Sequence, residues 1–220
     1  MLKELLKLCI SARYTHTANG GDYAIRLNGD TIYVLFQHSN GALDWINNLD
    51  FLAKPFRSIR GLCSQAFAGK AEPYKHMNES WKCHRGFLRV WKAMQDEIVC
   101  IMNDLVDSEC TKRIVCAGYS HGAAIALLAT EDMAFRYGDS CTVEGYGFGG
   151  PRVLYGEVPD TVLDRLKRFT VIRNVPDLVT HLPPKAFGFK HTNVMEIGKK
   201  GMYGCIRAHY ADAYLEQLQE

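Results

Sequence analysis

The sequence predicts an α/β fold with a largely parallel central sheet flanked by helices. Two observations carry that expectation. Runs rich in β-branched and aromatic residues recur along the 220 residues, and helical patterns separate them. Strands that alternate with helices in this way pair most readily as parallel neighbours joined by crossovers.

The elements follow in order. "MLKELLKLCI" places leucines at 2, 5 and 6 and apolar residues at 9 and 10, interrupted by Lys3, Glu4 and Lys7, so it predicts a short amphipathic helix. Those charges leave no uninterrupted apolar core for a signal peptide, and no later stretch approaches a membrane-spanning run. The expectation is a cytoplasmic protein, or a mature form whose targeting segment has been removed. "TIYVLF" at 31–36 is the first buried strand. Residues 52–82 carry Pro55, Pro73, several glycines and little periodicity, and are expected to form a long loop excursion within one domain spanning 1–220.

"FLRVWKAMQDEIVCIMNDLVDS" at 87–108 sets apolar residues at 87, 90, 91, 94, 98, 101, 102 and 105, the repeat of one buried helix face. "RIVCAGY" at 113–119 is a strand, and a helix from His121 to Tyr137 ends near Gly138. "CTVEGYGF" at 141–148 and "RFTVIRNV" at 168–175 are strands, with a short helix near 160–168 between them. "VMEIG" at 194–198 is a further strand, and a helix at about 209–219 follows it. No internal repeat or low-complexity segment interrupts the series.

Composition excludes some functions. Hydrophobic residues make up 47% and charged residues 23%, with a formal net charge of +2, so the chain is globular rather than disordered. Its densest basic pairs, Lys112-Arg113 and Lys199-Lys200, are too short for the concentrated patch that a nucleic-acid binder needs. Of the eight cysteines none stands in a C-x-x-C pair, and no H-E-x-x-H occurs, so neither a metal nor another cofactor is implied. Cys100, Cys116 and Cys141 lie in apolar runs and are expected as small, reduced core residues.

The chemistry-bearing feature is Gly118-Tyr119-Ser120-His121-Gly122, a G-x-S-x-G between a strand and a helix. The pentapeptide alone is weak; its context makes it a candidate nucleophile elbow, where a sharp turn projects the serine hydroxyl above the sheet edge. Ala123, Ala124 and Ala126 allow the helix to pack closely on the sheet, and the helix N-terminus offers free N–H groups to a developing oxyanion. The competing reading is an ordinary strand–helix turn with a serine N-cap.

Serine needs a base, and the base an orienting acid. Asp177 follows a strand, whereas Asp160 and Asp164 fall in a helical segment and suit the solvated surface. His121 is on the turn itself and cannot readily take the serine proton. His209 follows the last strand, and position alone leaves His181 and His191 open as well.

In order from about residue 31 to 214, the motifs resemble those of the class 3 lipases, relatives of the fungal triacylglycerol lipases. "YVLFQHSNGALDWINNL" resembles their strand followed by F-R-G-[ST] and D-W-x-x-D-L. "HRGFLRVW" resembles H-x-G-F, "AGYSHGAAIALLA" resembles T-G-H-S-L-G-G-A-L-A, and "YGFGGPRV" resembles F-G-x-P-R-V. "RNVPDLVTHLPP" resembles N-x-x-D-P-V-x-x-L-P, and "HYADAY" resembles H-x-x-x-x-Y.

The resemblance implies an α/β-hydrolase fold with Ser120 as nucleophile, Asp177 as acid and His209 as base. It implies an oxyanion hole from the N–H groups of His121 and Ser39, with the Ser39 hydroxyl as a third donor. A lid maps to Asn40–Leu49, where Leu43, Ile46 and Leu49 share a face with Trp45 beside them; an ordinary amphipathic turn is the alternative. The substrate implied is a lipid or small ester, met through transient contact with a lipid interface.

The chain departs from the pattern at Gln37-His38, Asn48, Tyr119, His121 and Leu178. No catalytic group is removed, while His121 makes the acyl site more polar than the family's leucine would. An esterase or phospholipase acting on small or charged esters is therefore a competing expectation. A lipase-like regulatory or binding protein without turnover is another.

Overall fold

The computed structural model describes residues 1–17, 21–37, 71–76, 79–108, 111–201 and 204–218. Its centre is a seven-stranded sheet. The strands are β1 (Thr15–His16), β2 (Asp22–Asn28), β3 (Thr31–Phe36), β6 (Arg113–Tyr119), β7 (Thr142–Phe148), β9 (Phe169–Asn174) and β11 (Asn193–Ile197), side by side in that order. The pairs β1–β2 and β2–β3 are antiparallel; every later pair is parallel. Five consecutive parallel strands bear out the expected architecture.

Both faces of this sheet are covered, which is why its strands read as apolar runs rather than as alternation. Ile32, Val34, Phe36, Ile114, Cys116, Val143, Phe169 and Val171 point to one face. There they meet α2 (Arg85–Ser108), α3 (His121–Tyr137) and α4 (Asp160–Arg165). Leu35, Val115, Ala117, Phe148 and Ile172 point to the other face, against α1 (Leu2–Ser11) and α5 (Ala211–Gln217). The helical repeat anticipated over 87–108 is the face α2 buries: Trp91, Met94, Ile98 and Met102 lie at or near zero exposure. Cys116 and Cys141 are buried as expected, but Cys100 is exposed. It lies two residues from both Ile98 and Met102, about 200° around the helix from each, and so faces solvent.

Part of the stretch expected as a loop is sheet. Strands β4 (Ala71–His76) and β5 (Glu79–His84) form an antiparallel pair, joined by β8 (Leu154–Tyr155) and β10 (Phe189–Lys190) in a second sheet ordered β10-β8-β5-β4. Pro73 hid the first of them, yet β4 is an edge of this sheet, where a residue without an N–H donor is tolerated. Strand β2 was likewise not anticipated; its last three residues are exposed, so it shows no continuous buried run. Residues 40–49 and 52–70, where the lid and the rest of the excursion were placed, lie outside the described residues.

The parallel strands all end on one edge. Ser120 follows β6, Gly149 follows β7 and Asp177 lies three residues beyond β9. The carboxyl edge of an open parallel sheet is where ligands bind in such folds, because loops converge there over exposed strand ends.

Candidate active site

At the β6–α3 junction Ser120 has φ 56° and ψ −120°, and among the described residues it alone combines a side chain with positive φ. Such a conformation costs on the order of 1–3 kcal/mol and persists only where the surroundings over-determine it. Here they do. The Ser120 N–H donates to the Phe148 carbonyl at 2.8 Å, and the Ser120 carbonyl accepts from Ala123 N–H at 3.1 Å.

The two glycines of the motif are sterically required. A Cβ on Gly118 would lie 2.2 Å from the Gly122 carbonyl oxygen, and one on Gly122 would lie 2.2 Å from the Phe36 carbonyl oxygen. The N-cap alternative fails, since the Ser120 side chain makes no capping hydrogen bond to α3.

Its hydroxyl is engaged elsewhere. Ser120 Oγ lies 2.9 Å from His209 Nε2, and His209 Nδ1 lies 2.8 Å from Asp177 Oδ2. All three side chains are buried, with Ser120 at 2% exposure and the other two at zero. A carboxylate on the Nδ1 side fixes the tautomer with the proton on Nδ1. Nε2 is then left to accept from the serine hydroxyl. Among the histidines that position left open, His181 is exposed in a short turn, and His191 Nε2 bonds to the Thr180 carbonyl at 2.7 Å. Neither is hydrogen-bonded to Ser120 or Asp177.

Asp177 is held by its own loop and by the C-terminal segment. Oδ1 accepts from the Val179 N–H at 2.9 Å, and Oδ2 accepts from the Tyr214 hydroxyl at 2.6 Å. The Tyr214 oxygen in turn accepts from the Asn174 N–H at 3.1 Å. Burial and the Asp177 charge hold the Tyr214 phenol well above its ordinary pKa, so it stays a donor. The Asn174 side-chain amide donates to the Ala208 carbonyl at 3.0 Å, beside His209 in the 3-10 turn Arg207–His209.

Leu178, which stands where the family pattern has proline, donates its N–H to the Cys205 carbonyl at 3.3 Å. A proline there has no N–H to give, so this departure ties the Asp177 loop to the segment that carries His209. Gly149, at φ 61°, lets the backbone pass close: a Cβ there would come 3.1 Å from Asp177 Oδ2 and 3.2 Å from His209 Cε1.

His121 opens α3, with its N–H among those a helix start leaves unpaired. Its ring meets Phe87 edge-on at 5.3 Å, and Phe87 packs on His84 at 4.4 Å between centroids. Burial, helped by His84, pushes His121 down to about 4. Burial, helped by Arg85, does the same for His84. His84 Nδ1 also accepts from the Gly86 N–H at 3.2 Å. A neutral imidazole, His121, thus directly follows Ser120, with His84 beyond Phe87. Ser39, expected as the other oxyanion donor, lies outside the described residues, as does the expected lid. Among the described residues no group of His, Cys, Asp and Glu could hold a metal ion.

Sequence reasoning did not single out Asn174, Gly149 or the packing around Tyr119. For Tyr214 there was a signal: it is the terminal residue of "HYADAY", a conspicuous tyrosine with no assigned task.

Three comparisons bear on the family and the fold. A family model described as lipase (class 3) matches residues 33–187. A lipase of Rhizomucor miehei is 29% identical over 163 residues, covering 73% of this chain and 40% of that protein. A secreted mono- and diacylglycerol lipase of Fusarium solani is 28% identical over 110 residues, half of this chain and 32% of that protein. Among solved structures, a triacylglycerol lipase whose catalytic centre is described as a serine protease triad superposes with a TM-score of 0.65 at 24% identity. That match covers 86% of this chain and 65% of the other. A lipase of Rhizopus microsporus var. chinensis superposes at 0.61 and 24% identity, covering 88% and 62%. These likenesses carry the fold. The chain spans about two fifths of the length of the first of the curated relatives it matches.

Proposed function

The chain belongs to the class 3 lipase family, and from that membership we propose that it hydrolyses carboxylic esters of lipids through Ser120, His209 and Asp177. The observation that carries this reading is the continuous hydrogen-bonded line from Ser120 Oγ to His209 Nε2 and from His209 Nδ1 to Asp177 Oδ2, at 2.9 and 2.8 Å, on a strained turn.

His209 Nε2 takes the serine proton as Oγ attacks the ester carbonyl, and Asp177 stabilises the imidazolium that forms. The tetrahedral oxyanion accepts the His121 N–H and, in this reading, the donors of Ser39. Loss of one such donor typically costs about 2.7–4 kcal/mol of transition-state stabilisation. Collapse passes the proton from His209 to the departing alcohol and leaves an acyl-serine. Water then attacks, with His209 as base, and the free acid leaves.

A second reading, an esterase or phospholipase acting on small or charged esters, is favoured by one observation. The neutral ring of His121 puts a hydrogen-bonding group where the family pattern has leucine beside the serine. A binding protein without turnover is disfavoured by the intact and connected triad.

The relatives from Fusarium solani and Malassezia restricta carry "secreted" in their names, so the cytoplasmic expectation gains no support from them. Among the described residues no helix is long and apolar enough to cross a membrane.

The test is turnover of p-nitrophenyl esters from acetyl to palmitoyl, with Ser120→Ala as control. Ester hydrolysis that falls to background in Ser120→Ala is expected; activity that survives it overturns the triad. A rate rising with chain length and at the interface identifies a lipase. A maximum at short chains with no interfacial rise selects the second reading.

A further inference from the structure

Tyr119 stands where the family pattern has histidine, and the mechanism above gives it no task. It is the last residue of β6, buried, and one peptide bond from Ser120. Its ring stacks on the His209 imidazole, with centroids 5.4 Å apart and planes 21° apart. Its hydroxyl donates to the His209 backbone carbonyl. Tyr214, which holds Asp177, meets the same ring edge-on at 6.2 Å.

We infer that Tyr119 is a positioning residue for the base, fixing the height and tilt of the His209 ring relative to Ser120 Oγ. This rests on the reading of Ser120, His209 and Asp177 as the reacting groups.

The need for such a residue follows from where His209 sits. It closes a three-residue 3-10 turn, in which the His209 N–H bonds to Ile206 and the Tyr210 N–H bonds to Arg207. Those bonds are local to the turn and do not set its height over the β6 edge. Asn174 ties the neighbouring Ala208 carbonyl to the end of β9, and the Tyr119 hydroxyl links the base's own carbonyl to the residue beside the nucleophile. The result is a closed circuit. Ser120 is bonded covalently to Tyr119, Tyr119 is hydrogen-bonded to His209, and His209 is hydrogen-bonded back to Ser120.

Displacing a catalytic group by about 1 Å can cost roughly a hundredfold in rate, so a tether of this kind acts on kcat. The ring adds a second effect of the same sign. His209 becomes cationic only during the reaction, and an aromatic face within about 6 Å favours that charge. An interaction made only in the transition state raises kcat without changing substrate binding. Burial and the nearby Asp177 charge hold the Tyr119 phenol far above its ordinary pKa, so its hydroxyl keeps its proton.

The experiment measures kcat and KM on p-nitrophenyl butyrate for the whole chain and for Tyr119→Phe, Tyr119→Leu and Ser120→Ala. Rates are normalised to serines titrated by a p-nitrophenyl phosphonate, so that only folded, reactive molecules count. Tyr119→Phe keeps the ring and loses the tether, and kcat is expected to fall about tenfold with KM changed less than about twofold. Tyr119→Leu loses both and is expected to fall about a hundredfold. Replacing Tyr119 by p-aminophenylalanine keeps the ring and a donor, and is expected to stay within about threefold of the parent.

A kcat for Tyr119→Phe within about twofold of the parent overturns the inference. So does a p-aminophenylalanine enzyme that folds but turns over no faster than Tyr119→Leu. A KM rise at constant kcat assigns the residue to substrate binding and overturns it too. Activity in Ser120→Ala marks failure of the triad itself; an inactive Ser120→Ala with an unimpaired Tyr119→Phe marks failure of the tether alone.

Discussion

Asp177 is the residue on which the surroundings converge. A fully buried carboxylate is tolerated only when its acceptor sites are filled, and here Val179, Tyr214 and His209 fill them. Tyr214 serves two buried groups, donating to Asp177 and accepting from the Asn174 N–H. Tyr214→Phe removes both bonds while keeping the ring. It is expected to lower the unfolding free energy by about 1–3 kcal/mol, the cost of leaving buried polar groups unpaired. Turnover should also fall severalfold as Asp177 loses one restraint. Urea denaturation and p-nitrophenyl butyrate kinetics on the same preparation check the two effects; unchanged stability would show that water replaces the hydroxyl. Leu178 illustrates the same scale from the other side. It departs from the family motif, and its N–H makes a bond that proline cannot.

The elbow is the element that turns a serine into a candidate nucleophile. Strand β6 delivers the chain to Ser120, and α3 leaves at once, with its backbone pressed against Gly118 and with Gly122 against the end of β3. Gly118→Ala would force its Cβ into the Gly122 carbonyl, which is backbone and cannot rotate away. We expect a loss of about 3 kcal/mol, the upper range for overpacking, together with loss of activity as Ser120 is displaced. Thermal unfolding and active-site titration test this; an enzyme with native stability and a full complement of titratable serine would mean that the turn is less constrained than its geometry implies. The β4–β5 pair makes the complementary point. The two pair with each other locally, but β5 joins the rest of its sheet through β8, about seventy residues further along the chain, and no local periodicity announces a partner that remote.

The described residues form a central sheet covered on both faces by helices and a second, four-stranded sheet, with three histidines kept neutral by burial. His84, His121 and His191 are each pushed by burial from 6.5 to about 4. Between those values the native state leaves them unprotonated while the unfolded chain takes up protons, so the unfolded state is favoured as pH falls. Stability is therefore full above about 6.5, falls as the pH drops towards 4, and levels off below that. A loss on the order of 2 kcal/mol or more between pH 7 and 4.5 is expected. Urea titrations at pH 7.5, 5.5 and 4.5 measure it, and a flat profile would mean that these rings are better hydrated than their burial indicates.

The sequence by itself determined the parallel sheet, the helix from His121 to Tyr137, the elbow and the order in which Ser120, Asp177 and His209 occur. These are local matters: an apolar run bounded by glycine, a helical repeat and a motif each leave a mark within about twenty residues. His209 was separated from His181 and His191 by resemblance to a family pattern and not by position. Only the tertiary structure brought its ring to Ser120, across 89 residues of chain. It alone decided that Tyr119 lies against that ring, that Tyr214 and Asn174 support Asp177, and that β4 and β5 leave the loop for a second sheet. Those outcomes depend on which distant segments share a strand edge or a buried face. Packing settles such choices for the whole chain at once, and no short window of sequence records them.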